Sequence, residues 1–161
     1  MDGMEKVVRR VSFFLACLSG GALVALMLLT VANIVFRMAH RPFSGAVEAA
    51  GWLAALTAAF ALGYTQLHRG HVAVDFVVDR LPRRFRAGVD LFASAAGLVL
   101  FALAAWRLAA DAVRLGRLGR LSETMHVPYH PFVYCVALGF ACLGLVLLVD
   151  FWKAVGEVGR K

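Results

Sequence analysis

VSFFLACLSGGALVALMLLTVANIVF, residues 11–36, runs for 26 positions without a charged side chain. A helix rises about 1.5 Å per residue, so roughly 20 apolar residues cross the hydrocarbon core of a bilayer. Lys6, Arg9 and Arg10 precede the run as the basic region of a secretory signal would. The apolar part of such a signal is only about 7–15 residues long and ends at a small-residue cleavage site. This stretch continues to Arg37, so it is read as a retained span.

Three further uncharged runs follow, at Ala49–Leu67, Leu91–Trp106 and Val127–Val149. The third is short, but a helix over about 87–106, with Asp90 inside it and Arg107 just past its end, reaches membrane length. The chain is 61% hydrophobic and 17% charged, against about 45–50% and about 25% in soluble domains. The links are too short to fold by themselves. The reading is an all-α integral membrane protein of one domain over residues 1–161, with four transmembrane helices at about 11–36, 49–67, 87–106 and 127–149 and interfacial or surface helical segments in the links.

The charge of +7 is spread over every segment flanking a span, which argues against a nucleic-acid face and for a topology signal. Eleven of the 17 Lys and Arg fall in the two tails and the second link, and six (Arg37, Arg41, Arg107, Arg114, Arg117 and Arg120) fall in the other links. The positive-inside rule then puts both termini in the cytoplasm of a multi-pass inner-membrane protein.

Polar residues at the span ends carry the local structure. Asn33 precedes Arg37 by one turn and shares its face, placed to hydrogen-bond across helices or to meet interfacial water. Arg41-Pro42-Phe43-Ser44 reads as a turn with Ser44 as the helix cap. Glu48 follows in the first turn, where the helix dipole favours a carboxylate and where an ion pair with Arg37, Arg41 or another chain is equally open. Gly51, Ala55, Ala59 and Gly63, at intervals of four, form a small-residue ridge suited to close helix packing.

The link after the second span runs through Arg69, His71 and Asp75 into the basic stretch from Arg80 to Arg86, a pattern for the membrane surface and its anionic lipids. Beyond the third span, Arg107, Asp111 and Arg114 recur at helical spacing. Arg114, Arg117 and Arg120 then recur every third residue, while Gly116 and Gly119 weaken the helix. This is read as a hairpin or surface helix with a solvated, basic face able to dock a partner. Pro128 and Pro131 open the fourth span.

Catalytic and metal chemistry is missing. Cys17, Cys135 and Cys142 all lie in apolar runs with no ligand beside them. The prolines break the helix that would pair His126 with His130. His40, His68, His71, His126 and His130 sit at span ends or in links, off the facing helices a bound haem needs. No carboxylate lies at a span centre, as proton exchange by a self-sufficient small multidrug-type carrier would require. No phosphate loop, zinc-protease motif or serine elbow is found. The residues alone point to an accessory membrane subunit that is not an enzyme and holds no cofactor. A four-helix membrane anchor with b-type haem and the small carrier are the alternatives.

Four places carry a family resemblance: Asn33-Ile34-Val35-Phe36-Arg37, Arg41-Pro42-Phe43 followed by Glu48, the run Arg69-Gly70-His71-Val72-Ala73-Val74-Asp75 with Asp79-Arg80-Leu81-Pro82 behind it, and Val127-Pro128. On these the chain resembles the small membrane subunit, of DctQ type, of tripartite ATP-independent periplasmic (TRAP) transporters. Two departures stand out: the family often carries a tryptophan and a second acidic residue just before Glu48, where this chain has Gly45 and Val47.

The resemblance implies a large multi-span partner that holds the substrate and sodium sites, and a periplasmic substrate-binding protein that delivers an organic anion, a carboxylate by default. It makes this chain a fixed, non-catalytic scaffold. Asn33, Arg37, Glu48, Arg69, His71 and Asp75 become structural or subunit-contact residues by carry-over. The small-residue ridge and Pro128 join them as contact candidates, and Arg114, Arg117 and Arg120 as the docking surface. The end of the chain eight residues after Lys153 fits a small subunit not fused to its partner.

Overall fold

The computed structural model describes residues 2–40, 43–68 and 83–158. Among them lie four helices: α1 (Asp2–Met38), α2 (Ala46–Leu67), α3 (Arg83–Arg117) and α4 (His130–Val158). Each contains a segment long and apolar enough to cross a membrane, at Lys6–Met38, Ala46–Leu67, Phe92–Arg117 and His130–Trp152. The described residues form no strand longer than a single antiparallel bridge between Leu121 and Pro128.

Two helix starts differ from the sequence reading. Helix α3 runs past Trp106 to Arg117 as the charges recurring at helical spacing announce, with 107, 111 and 114 on its exposed face, where they cost the helix nothing in water. Helix α2 begins at Ala46, and its cap is Gly45 with no side-chain bond, not Ser44. The turn there is closed by the backbone, Ala46 N–H donating to the Phe43 carbonyl at 3.1 Å. Helix α4 begins three residues later than expected, because Pro128 is held in the bridge to Leu121 and the Val127 carbonyl accepts from Ser122 N–H at 2.9 Å. Pro131 is left in the first turn, where its missing N–H costs no bond.

The helices pack as an open row in the order α1, α2, α4, α3. The α3–α4 and α1–α2 faces are the most extensive, α2–α4 joins them, and α1 touches α4 only lightly. The side-chain contacts fix the directions. Ser12 and Ser19 of α1 meet Gly63 and Thr57 of α2, so these two run antiparallel. Trp52, Ala59, Gly63 and Gln66 of α2 meet Phe132, Gly139, Cys142 and Asp150 of α4 in the same order, so these two run parallel. Gly97 and Phe101 of α3 meet Leu147 and Phe140 of α4 in reverse order. The result is up-down-up-down, with the start of α1 and the ends of α2 and α4 at one end, here the terminal end, and the connections α1–α2 and α3–α4 at the other, the loop end.

Helix α4 is the centre of the row: 44% of its most apolar window is buried, against 0% for that of α3. On α1 the buried positions are Val8, Ser12, Leu15 and Ser19, a stripe one helix face wide. Val8, Val146 and Val149 cluster with Leu67 near the terminal end. Much of the rest of the apolar surface faces outward, as on Phe14, Leu28, Phe92 and Leu100, all more than 60% exposed. Helices in lipid gain no hydrophobic drive toward one another. They associate here through small side chains: a Cβ at Gly139 would lie 2.6 Å from the Ala59 carbonyl oxygen, so the α2 and α4 backbones nearly touch.

Candidate functional site

The loop end is held together by one carboxylate. Glu48, the third residue of α2, accepts a hydrogen bond from the Tyr129 hydroxyl on Oε1 at 2.8 Å, and from the backbone N–H groups of Thr124 and Met125 on Oε2 at 3.3 Å each. The buried Ser122 hydroxyl also faces it. All four partners belong to the α3–α4 link or its junction with α4. Its position in the first turn adds the favourable end of the α2 dipole. Among the described residues Glu48 forms no ion pair with Arg37, which is exposed at the end of α1; Arg41 lies outside the described residues.

The link is shaped to offer those donors. Helix α3 stops in a Schellman turn: Gly119, at φ +59°, donates to the Gly116 carbonyl, and Arg120 N–H donates back to Leu115. Glycine is favoured at that left-handed position, so Gly119 ends the helix while Gly116 lies within it and packs against the His130 ring. Ser122 Oγ then accepts from Met125 N–H at 3.1 Å, closing a tight turn, and His126 at φ +54° reverses the chain toward the Leu121–Pro128 bridge. A Cβ at Gly45 would collide with Met125 Cγ, so Met125 fills the space that a larger residue at 45 would occupy.

Trp52, one turn beyond Glu48, completes the junction. Its ring lies edge-on to Tyr129 at 5.7 Å and stacks on Phe132 at 4.3 Å. Sequence reasoning missed Trp52, Ser122 and Tyr129. The available signal was the placement of Trp52 at Glu48 + 4, on the same face, and of Tyr129 at a membrane-interface position.

The hydrogen bond to Glu48, then burial, then the negative charges of Glu48 and Glu123 raise the pKa of Tyr129 above that of an ordinary phenol. A raised pKa favours the protonated form, so this contact is fully present below the ordinary value of about 10 and lost as pH rises through the higher folded value. In an absorbance titration at 295 nm, the step missing from Tyr129→Phe should lie above pH 10. A step at the ordinary phenol value would show that the contact with Glu48 is not made.

The other sequence candidates divide. Of the ridge, Ala59 and Gly63 are buried against α1 and α4, while Gly51 and Ala55 are exposed, with nothing within 4 Å of a Cβ at Gly51. Steps of four residues drift about 40° each around a helix, which turns the two halves of the ridge toward different neighbours. Asn33 is half-buried and forms no side-chain hydrogen bond among the described residues. Pro128 is placed in the bridge. Arg114 and Arg120 line one shallow groove with Asp111, Leu115 and Leu118, and Arg117 lies outside it. Arg69, His71 and Asp75 lie outside the described residues.

His40, at φ +56°, terminates α1 and donates its backbone N–H to Arg37. With His126 and His130 it lies toward the loop end, opposite His68. The described residues contain no group of three metal-ligating side chains. Cys17 and Cys135 are exposed and Cys142 is buried beside Ser12, at 3.5 Å.

Compared with curated protein sequences, the chain matches none. Residues 26–157 match the family described as tripartite ATP-independent periplasmic transporters, DctQ component. That span takes in α2, α3, the whole α3–α4 link with its Glu48 junction, and nearly all of α4. The chain belongs to the DctQ family, the small membrane components of TRAP transporters.

Proposed function

We propose that this chain is the fixed, non-catalytic scaffold of a sodium-coupled importer, widening the membrane anchor of a large multi-span subunit that holds the substrate and the sodium ions. The transported solute is an organic anion delivered by a periplasmic binding protein, with a carboxylate as the default class. In this reading the termini are cytoplasmic and the loop end faces the periplasm of an inner membrane, as the basic residues of the tails and second link favour.

The observation that carries the scaffold role is the chemistry of the span interiors. Among the described residues, four hydroxyls there are used within the chain: Ser19 donates to the Thr57 carbonyl, and Thr30, Thr57 and Thr65 donate one turn back along their own helices. The carboxylates are kept to the ends, with Glu48 in the link junction and Asp150 accepting from Gln66 at 3.3 Å. An ion or proton path needs ionisable groups or broken helices near the midplane. The exposed Gly51 and Ala55, beside their buried continuation at Ala59 and Gly63, offer the large subunit a place for close helix packing. Arg114 and Arg120 at the loop end are the proposed contact for the binding protein.

Mild-detergent purification of the tagged chain from its native membrane tests this. A large, many-span protein is expected in near-equal amount, and the small chain alone in liposomes should take up nothing. Uptake by the chain alone, or purification only with itself, would overturn the scaffold role.

A further inference from the structure

At the terminal end, α1 and α2 enclose a groove of about 380 Å³ lined by Arg9, Arg10, Phe13, Tyr64 and His68. Its floor is aromatic. Phe13 and Tyr64 meet at 6.2 Å with their rings tilted, and the His68 ring lies 4.2 Å from that of Tyr64. Its rim carries the two guanidinium groups of α1, with the His68 imidazole across from them on α2 and no carboxylate among the lining residues. His68 Nδ1 lies 3.0 Å from the Tyr64 carbonyl oxygen. A carbonyl can only accept, so Nδ1 carries the proton of this contact, which ties the ring to the end of α2.

The height of the groove along the helices selects its ligand. Arg10 is the last charge before the apolar run that begins at Val11, and His68 follows the last residue of α2. The rim therefore lies where hydrocarbon gives way to headgroups, and the floor faces the hydrocarbon, with Phe13 58% exposed. A phosphate attached to acyl chains matches both parts at once: the anion against Arg9 and Arg10, the chain along Phe13 and Tyr64. Free phosphate shares only the first match.

We propose that this groove is a binding site for the headgroup of an anionic glycerophospholipid. A basic helix end attracts anionic lipid diffusely; a site makes particular cations matter more than their neighbours. Lys6, one turn before Arg10 and exposed, does not line the groove and serves as the control.

The test uses the full-length chain in mixed micelles with phosphatidylglycerol and phosphatidylcholine, with retained lipid counted by native mass spectrometry. Arg9→Gln and Arg10→Gln are each expected to lower phosphatidylglycerol retention about fivefold, and Phe13→Ala to lower it as well. Lys6→Gln, which changes the net charge equally, should stay within about twofold of wild type. Circular dichroism confirms that each variant remains helical, so that a loss of lipid is not a loss of fold. Equal losses for Lys6, Arg9 and Arg10, or equal retention of the two lipids by wild type, would overturn the site. In a parallel arm inorganic phosphate replaces the lipid; thermal stabilisation by phosphate equal to that by phosphatidylglycerol would assign the groove to a soluble anion and overturn the lipid.

Discussion

Gly139→Ala should unfold more readily than wild type by about 1–3 kcal/mol, although it adds only one methyl group. The new Cβ would meet the Ala59 carbonyl oxygen at 2.6 Å, its carbonyl carbon at 2.8 Å and its Cβ at 2.9 Å. Two of those three atoms are backbone, which cannot rotate aside, so α2 and α4 must move apart. Separation weakens the main face joining the α1–α2 pair to the α4–α3 pair. Combining Gly139→Ala with Ala59→Gly removes the side-chain clash and leaves the carbonyl one, so rescue should be incomplete. Gly20→Ala is the control: nothing lies within 4 Å of a Cβ there, and replacing a glycine within a helix should be neutral or stabilising by up to about 1 kcal/mol. Unfolding of the purified chain in detergent and denaturant reads both. Equal stability of Gly139→Ala and wild type would show that the helices do not approach this closely.

The spans themselves were legible because the physics behind them is local. A run of 26 uncharged residues has few options in water, and the helices at 2–38 and 46–67 sit on the runs that announced them. The continuation of α3 past Trp106 was also visible, in charges recurring at helical spacing. The small-residue ridge was half legible. Its spacing announced a packing face, but the drift of a four-residue repeat turns Gly51 and Ala55 away from the neighbour that covers Ala59 and Gly63.

The partners of Glu48 were not legible at all. The donors at Thr124, Met125 and Tyr129 lie 76 to 81 residues away in sequence, and two of the contacts are backbone N–H groups that any residue type could supply. Electrostatic habit suggested an arginine. Among the described residues the carboxylate is satisfied by a turn made by Ser122 and a tyrosine held by Trp52, and only the parallel packing of α2 and α4 brings these into reach.

Glu48→Ala is expected to release the α3–α4 link while leaving the four helices in place. The substitution takes the acceptor from the Thr124 amide and from the Tyr129 hydroxyl, and one of two acceptors from the Met125 amide. The helices keep their own backbone bonds and the Ala59–Gly139 contact, so helicity should not change. Hydrogen exchange at Thr124 should accelerate about tenfold or more, with a smaller change at Met125, whose bond to Ser122 remains. Glu48→Gln separates the contributions. Its single carbonyl oxygen can serve Tyr129 or the two amides but not both, and its NH₂ group faces donors on the other side. Its exchange rates should fall between those of wild type and alanine. Because Arg120 stands two residues before Ser122, a loosened link also loosens the proposed contact for the binding protein. The assembled transporter carrying Glu48→Ala should then need roughly tenfold more binding protein for half-maximal uptake. Unchanged exchange at Thr124 would remove the junction from the account. Altered exchange with unchanged uptake would keep the junction and detach it from docking, which would leave Glu48 with the task of fixing the order of the helices.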